Sequence, residues 1–229
     1  MRAFADLYAA LDETTKTNEK IAAMSRYFGS APPEDAAWAV HFLIGRRPKR
    51  LIATRDLAGW AIAEAGIPDW LFSECYQAVG DLAEEIALLL PAARATSDKP
   101  LHYWVEERLL PMREWSDAVR WESLVSAWRE MSDRQRLVWN KLITGEFRVG
   151  VSQNLAVRAL AEVSGVDANV LAHRLMGDWQ PTADFAAQIL AKETADADVS
   201  RPYPFCLAYP LEGPVEGLGD AGEWQIEWK

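Results

Sequence analysis

From residue 2 to about residue 192 the apolar residues recur at helical spacing, and glycine or proline interrupts them every dozen residues or so. No alternating strand pattern occurs before residue 200. A chain so written can only stack short helices against one another, and the pattern predicts an all-α domain of about ten to twelve helices. The expected helices lie near 2–12, 15–28, 33–44, 54–65, 68–79, 81–90, 101–114, 116–131, 132–144, 152–164, 167–176 and 182–192. Their boundaries are Gly29-Ser30-Ala31-Pro32-Pro33, Gly45, Pro68, Gly80, Pro91, Pro100, Ser132-Asp133, Gly145 and Pro181. Ala92 to Lys99 reads as a polar, mobile link.

Half of the 229 residues are apolar and eleven are Trp, enough for a large core in which most indoles are buried. The texture changes after Leu190. Lys192 to Arg201 is polar, giving a linker over 193–202 after a helical domain over 1–192. Residues 203–229 are rich in Pro, Gly and aromatics and end in Glu223-Trp224-Gln225-Ile226-Glu227-Trp228-Lys229. Trp224, Ile226 and Trp228 alternate with polar residues as in a strand with one buried face. A single strand needs a sheet, so 203–229 reads as the truncated start of a second domain.

Charge and cysteine usage exclude several classes. The formal net charge of −10 argues against a chain that coats nucleic acid indiscriminately, and leaves room for a local basic stripe. Cys75 and Cys206 lie far apart and lack metal spacing, which argues against a disulfide framework and fits a reducing cytoplasm. The N-terminus has no signal-peptide core, and the longest apolar run, Ile86 to Ala93, is too short to span a bilayer. His41, His102 and His173 lie on separate helices, so no metal site is expected. Neither phosphate-loop glycine motif occurs. The carboxylate pairs Glu84–Glu85 and Glu106–Glu107 read as solvated helix faces.

Two stretches carry candidate binding chemistry. In Gly145 to Ser152 one helix ends at glycine, Arg148 follows, Gly150 permits close backbone approach, and Ser152 caps the next helix ahead of Gln153. A basic side chain beside uncapped N–H groups suits an anion such as a phosphodiester; the same punctuation also joins helices in any all-helical protein. The second stretch places Arg46, Arg47, Lys49, Arg50 and Arg55 within ten positions with no acid among them. It reads equally as a polyanion contact or as a solvated loop. Lys16 and Lys20 are further cations near a helix start.

Several segments in succession resemble the N-terminal DNA-binding domain of bacterial ATP-dependent DNA ligases. Phe147 to Glu162 (FRVGVSQNLAVRALAE) resembles that family's L-R-x-G-x-x-x-x-x-V-x-x-A-L-A segment. Val79 to Leu90 (VGDLAEEIALLL) resembles its G-D-L-x-E helix, and Thr14 to Phe28 its T-x-x-x-x-K helix. His173 to Trp179 and Tyr203 to Glu212 resemble the bacterial branch, and Glu227–Lys229 stand where E-x-K-x-D-G-x-R would begin.

The resemblance implies an all-helical shell that grips nicked duplex DNA across the minor groove through its phosphates. Arg148, Gly150, Ser152 and Gln153 match the family turn. Arg46, Arg47, Lys49, Arg50, Lys16 and Lys20 are added on charge. The resemblance further implies ATP and Mg²⁺ for the full-length enzyme, with Lys229 as the nucleophile that takes AMP and Glu227 touching the adenine. It implies a monomer, and a fragment that is inactive alone. The competing reading is a helical protein-interaction scaffold that binds no DNA.

Overall fold

The computed structural model describes residues 1–192 except Arg47 and Lys49. Among the described residues the chain is all-α, with twelve α-helices and no strand. They are α1 (Arg2–Asp12), α2 (Thr17–Phe28), α3 (Pro33–Leu43), α4 (Thr54–Ala65), α5 (Asp69–Val79), α6 (Leu82–Leu89), α7 (Leu101–Tyr103), α8 (Asp117–Glu130), α9 (Asp133–Thr144), α10 (Gln153–Ser164), α11 (Ala168–Arg174) and α12 (Ala183–Leu190). The linker at 193–202 and the expected strand at 223–229 lie outside the described residues.

The sequence reads 101–114 as one helix, but only its first turn is α. A π-helical segment (Trp104–Leu109) and a 3-10 turn (Leu110–Arg113) complete it. Pro111 is the physical reason. It has no N–H to give the Glu107 carbonyl, and its ring crowds that position, so the ladder must slip. The Leu110 N–H accordingly reaches back five residues to Val105 O, and the Glu114 N–H only three, to Pro111 O.

A continuous apolar core runs through the domain, with Phe4, Leu11, Met24, Phe42, Ile86, Trp104, Trp128 and Trp139 almost fully buried. α9 is the central strut. It packs on α6 along one side and on α1 along another, while α2 packs on α1 and α10. Asn140, wholly buried on α9, cross-links three elements: it accepts from Trp128 Nε1 on α8 at 2.8 Å and donates to Ala83 O on α6 at 3.2 Å. Lys141, one residue on, pairs with Asp81, the residue that caps α6.

The link at 92–99 is tied down. Gln135 accepts from the Ser97 N–H at 3.0 Å and donates to Ser97 O at 2.7 Å, leaving Ser97 buried. Glu85 also departs from the sequence reading. It is not on a solvated face but has no exposed surface on α6, and neither carboxylate oxygen has a hydrogen-bond partner among the described residues. Burial pushes its carboxyl up to about 7.

Candidate nucleic-acid interface

The turn between α9 and α10 is fixed at both ends and in the middle. α9 stops because Gly145 takes a left-handed conformation (φ 72°), with its N–H and that of Glu146 both returning to Lys141 O. From there the chain alternates. Phe147 and Val149 point inward and are buried, whereas Arg148 and Gly150 are exposed. Phe147 stacks on Phe4 with centroids 5.4 Å apart and meets the edge of Tyr8 at 5.3 Å. Burying such a ring contributes about 2–3 kcal/mol, and this anchors the turn to α1. Arg148, held between two buried neighbours, is directed to solvent. Its guanidinium has no hydrogen bond or ion pair among the described residues.

At the far end, Ser152 adopts the extended backbone of an N-cap, and its hydroxyl accepts from the Leu155 N–H at 3.4 Å. The N–H groups of Gln153 and Asn154 have no partner among the described residues, and both residues are exposed. They are the unpaired donors at the positive end of the α10 dipole.

Lys20 holds the middle of the turn. It lies on the first turn of α2, only 8% exposed, and its Nζ donates to Val149 O at 2.6 Å and to Gly150 O at 3.2 Å. Farther along the same helix, Ser25 Oγ donates to Ala159 O and Glu162 Oε2 on α10. Contacts that advance together along both helices mean that α2 and α10 run parallel. Their N-termini therefore lie at the same edge, and two positive dipole ends are added there. Lys16 is the N-cap of α2 and offers no side-chain cap. Its ammonium pairs instead with Glu19 at 2.8 Å, which together with Thr14 holds the Glu19 carboxyl below its ordinary range.

After α3, Pro48 meets the start of the turn: a Cβ at position 145 would sit 3.7 Å from Pro48 O. Leu51 and Ile52, both buried, fasten the chain beyond it, and Arg50 is exposed. Arg46 has a different task. Its guanidinium donates to Gly177 O at 2.5 Å and to Leu175 O at 3.4 Å, and lies 4.6 Å over the Trp179 ring. It ties the chain after α11 back to α3. His41, edge-on to Trp179, is kept neutral in that packing. Burial and then Arg46 lower its pKa to about 4.

The structure thus gathers Lys16, Lys20, Arg148, Gly150, Ser152 and Gln153 about the turn and the two helix N-termini, leaves Arg50 exposed two residues after Pro48, and commits Arg46 elsewhere. Arg47, Lys49, Glu227 and Lys229 lie outside the described residues. Sequence reasoning missed Phe147 as the anchor, although the order Phe-Arg-Val-Gly, apolar and polar in alternation, carries that signal. It took Lys20 for a surface cation, because no local pattern reveals a partner about 130 residues away. Among the described residues no His, Cys, Asp and Glu cluster could hold a metal ion, and no helix is long and apolar enough to cross a membrane.

Cations, two helix N-termini and an immobilised turn thus share one edge of an all-helical domain, an arrangement of the kind that can receive an anion. The family model described as "DNA ligase N terminus" matches residues 1–161, and the chain belongs to that family. A probable DNA ligase of Koribacter versatilis (strain Ellin345) is 24% identical over 232 residues, an alignment covering 96% of this chain and 40% of that protein. The chain therefore spans well under half the length of this relative.

Proposed function

We propose that residues 1–192 are the DNA-binding domain of an ATP-dependent DNA ligase, and that the edge built on α2, α10 and the turn between α9 and α10 grips nicked duplex DNA through backbone phosphates. The observation that carries this reading is Arg148. It is an exposed arginine, without a partner among the described residues, on a turn immobilised at Gly145, Phe147 and Lys20 and beside the open N-terminus of α10. Such a site costs little to order on binding. A phosphate meets a bidentate donor and a dipole that are already in place. Phosphate contacts of this kind carry no base sequence, which suits a ligand defined by a break in the backbone. The minor-groove approach, a monomeric state and a bacterial cytoplasmic setting belong to the same proposal, and family membership supports it.

The proposal extends to the segment beyond residue 192. Residues 193–202 link to the start of the nucleotidyltransferase domain at 203–229, where Lys229 is the nucleophile toward ATP and Glu227 an adenine contact. ATP and Mg²⁺ belong to this extension of the proposal; among the described residues no group of His, Cys, Asp and Glu could hold a metal ion. Their chemistry is assigned to the longer enzyme, and the fragment alone is expected to be inert.

The test is titration of nicked and intact duplexes at two salt concentrations with the wild-type chain and Arg148→Ala. The variant should lose about 1–3 kcal/mol of affinity, the scale of a charged hydrogen bond, and about one unit of the log–log salt slope, equally for different sequences. An unchanged affinity or slope refutes the assignment of Arg148.

A further inference from the structure

We infer that Lys20 is a positioning residue for the phosphate grip: from beneath the turn, its ammonium holds the Val149 and Gly150 carbonyls so that Arg148 and the α10 N-terminus face the ligand together. The inference rests on the proposed phosphate-binding reading and adds to it a residue that acts through the turn. Three observations carry it.

The first is geometric. Lys20 Nζ reaches two consecutive carbonyls, at 2.6 and 3.2 Å, across a turn whose other face is exposed at Arg148 and Gly150. The turn is one chain thick there, with the ammonium on one side and solvent on the other. The second is that the fit leaves no slack. A Cβ on Gly150 would stand 2.9 Å from Nζ, closer than real Cβ contacts come, so the ammonium would have to shift, while φ 59° by itself favours glycine at 150. The third is charge. A buried ammonium is expensive unless it is paired, yet no carboxylate pairs with Lys20 among the described residues, and Glu19 beside it is taken by Lys16 and Thr14. A lysine serving the fold alone would be expected to find an acid. One left with carbonyls keeps its positive charge directly under the place where a phosphate would arrive.

Because Lys20 is only 8% exposed and spends its donors on main-chain oxygens, it acts on the ligand through the turn and does not touch it. A positioning residue and a direct phosphate ligand predict different couplings to Arg148. The experiment titrates the whole chain with a short nicked duplex at two salt concentrations, comparing wild type, Arg148→Ala, Lys20→Met and the double variant. Amide exchange across residues 145–152 is followed in the same proteins. Each single substitution should weaken binding by about tenfold, the scale of one charged hydrogen bond. The double variant should be no more than about twofold weaker than Arg148→Ala, with the same salt slope, since the two act as one unit. Amides of Phe147 to Ser152 should exchange at least about tenfold faster in Lys20→Met, while those of α6 and α9 keep their rates.

A double variant weakened by about a hundredfold, with a further unit lost from the salt slope, would make Lys20 a phosphate ligand in its own right and overturn the inference. So would a lowered melting temperature with unchanged affinity, which marks a purely structural lysine, or unchanged exchange in the turn. Affinity lost in Arg148→Ala but kept in Lys20→Met overturns the role of Lys20 alone. Affinity kept in Arg148→Ala overturns the grip itself. Should Lys20→Met fail to fold, Lys20→Gln makes the same test, since it removes the charge and shortens the reach to the two carbonyls while keeping a polar end.

Discussion

Replacing Gly150 by alanine probes the turn with one methyl group, and the structure supplies two separable costs. At φ 59° an alanine Cβ meets its own carbonyl, a strain of about 1 kcal/mol. The same Cβ would also stand 2.9 Å from Lys20 Nζ, so the ammonium must shift and its hydrogen bonds to Val149 O and Gly150 O are strained. Weakening hydrogen bonds of that charged kind costs about 2 kcal/mol. The expected destabilisation is therefore about 3 kcal/mol, or a fall in melting temperature of about 6–12 °C for a domain of this size. Urea unfolding of wild type, Gly150→Ala, Lys20→Ala and the double variant measures both terms. Lys20→Ala removes the obstacle, so Gly150→Ala in that background should cost only the strain term of about 1 kcal/mol, leaving a coupling of about 2 kcal/mol. Additive effects, or a Gly150→Ala cost below about 1 kcal/mol, would refute the claim that the turn is packed against the ammonium.

Other perturbations read other parts of the molecule. Glu85 holds its proton more tightly folded (about 7) than unfolded (about 4.5), so the folded chain binds the extra proton between those values. Stability should fall as pH rises from about 4.5 to about 7, by up to roughly 3 kcal/mol, and level off above. Glu85→Gln should abolish that slope, and a slope that persists in it would assign the effect elsewhere. Asn140→Ala strands the buried Trp128 Nε1 and opens a small void. A loss of about 3 kcal/mol in chemical denaturation is expected, and a loss under 1 kcal/mol would show that the cross-link between α8, α9 and α6 is dispensable. Incubated with ATP and Mg²⁺, the 229-residue chain should gain no AMP by mass spectrometry, whereas a longer chain through the nucleotidyltransferase should gain one that Lys229→Ala removes. AMP on the short chain, or equal labelling after Lys229→Ala, would reverse these assignments.

The all-α class and most helix limits were legible in the chain's local pattern. These are local matters: helical apolar periodicity, glycines such as Gly145 at positive φ, and caps such as Ser132 and Ser152 act within four residues of themselves. The same pattern also marked the turn at 145–153, because glycine, arginine and a capping serine stand together in the chain. What the cations do depends instead on how the helices pack. Arg46 and Lys20 look alike in sequence as members of basic stretches, yet Arg46 closes onto Gly177 and Trp179, and Lys20 onto Val149 and Gly150. Glu85, one residue from an exposed Glu84, is buried because α6 turns that face onto its neighbours. The slip at Pro111 belongs with the local effects, since proline states its own constraint, although where the extra residue is absorbed depends on the surrounding core. The division follows from range. Backbone conformation is set by neighbours in the chain, whereas the partner of a long charged side chain is set by whatever the packed helices bring within a few ångströms of it, here from about 130 residues away.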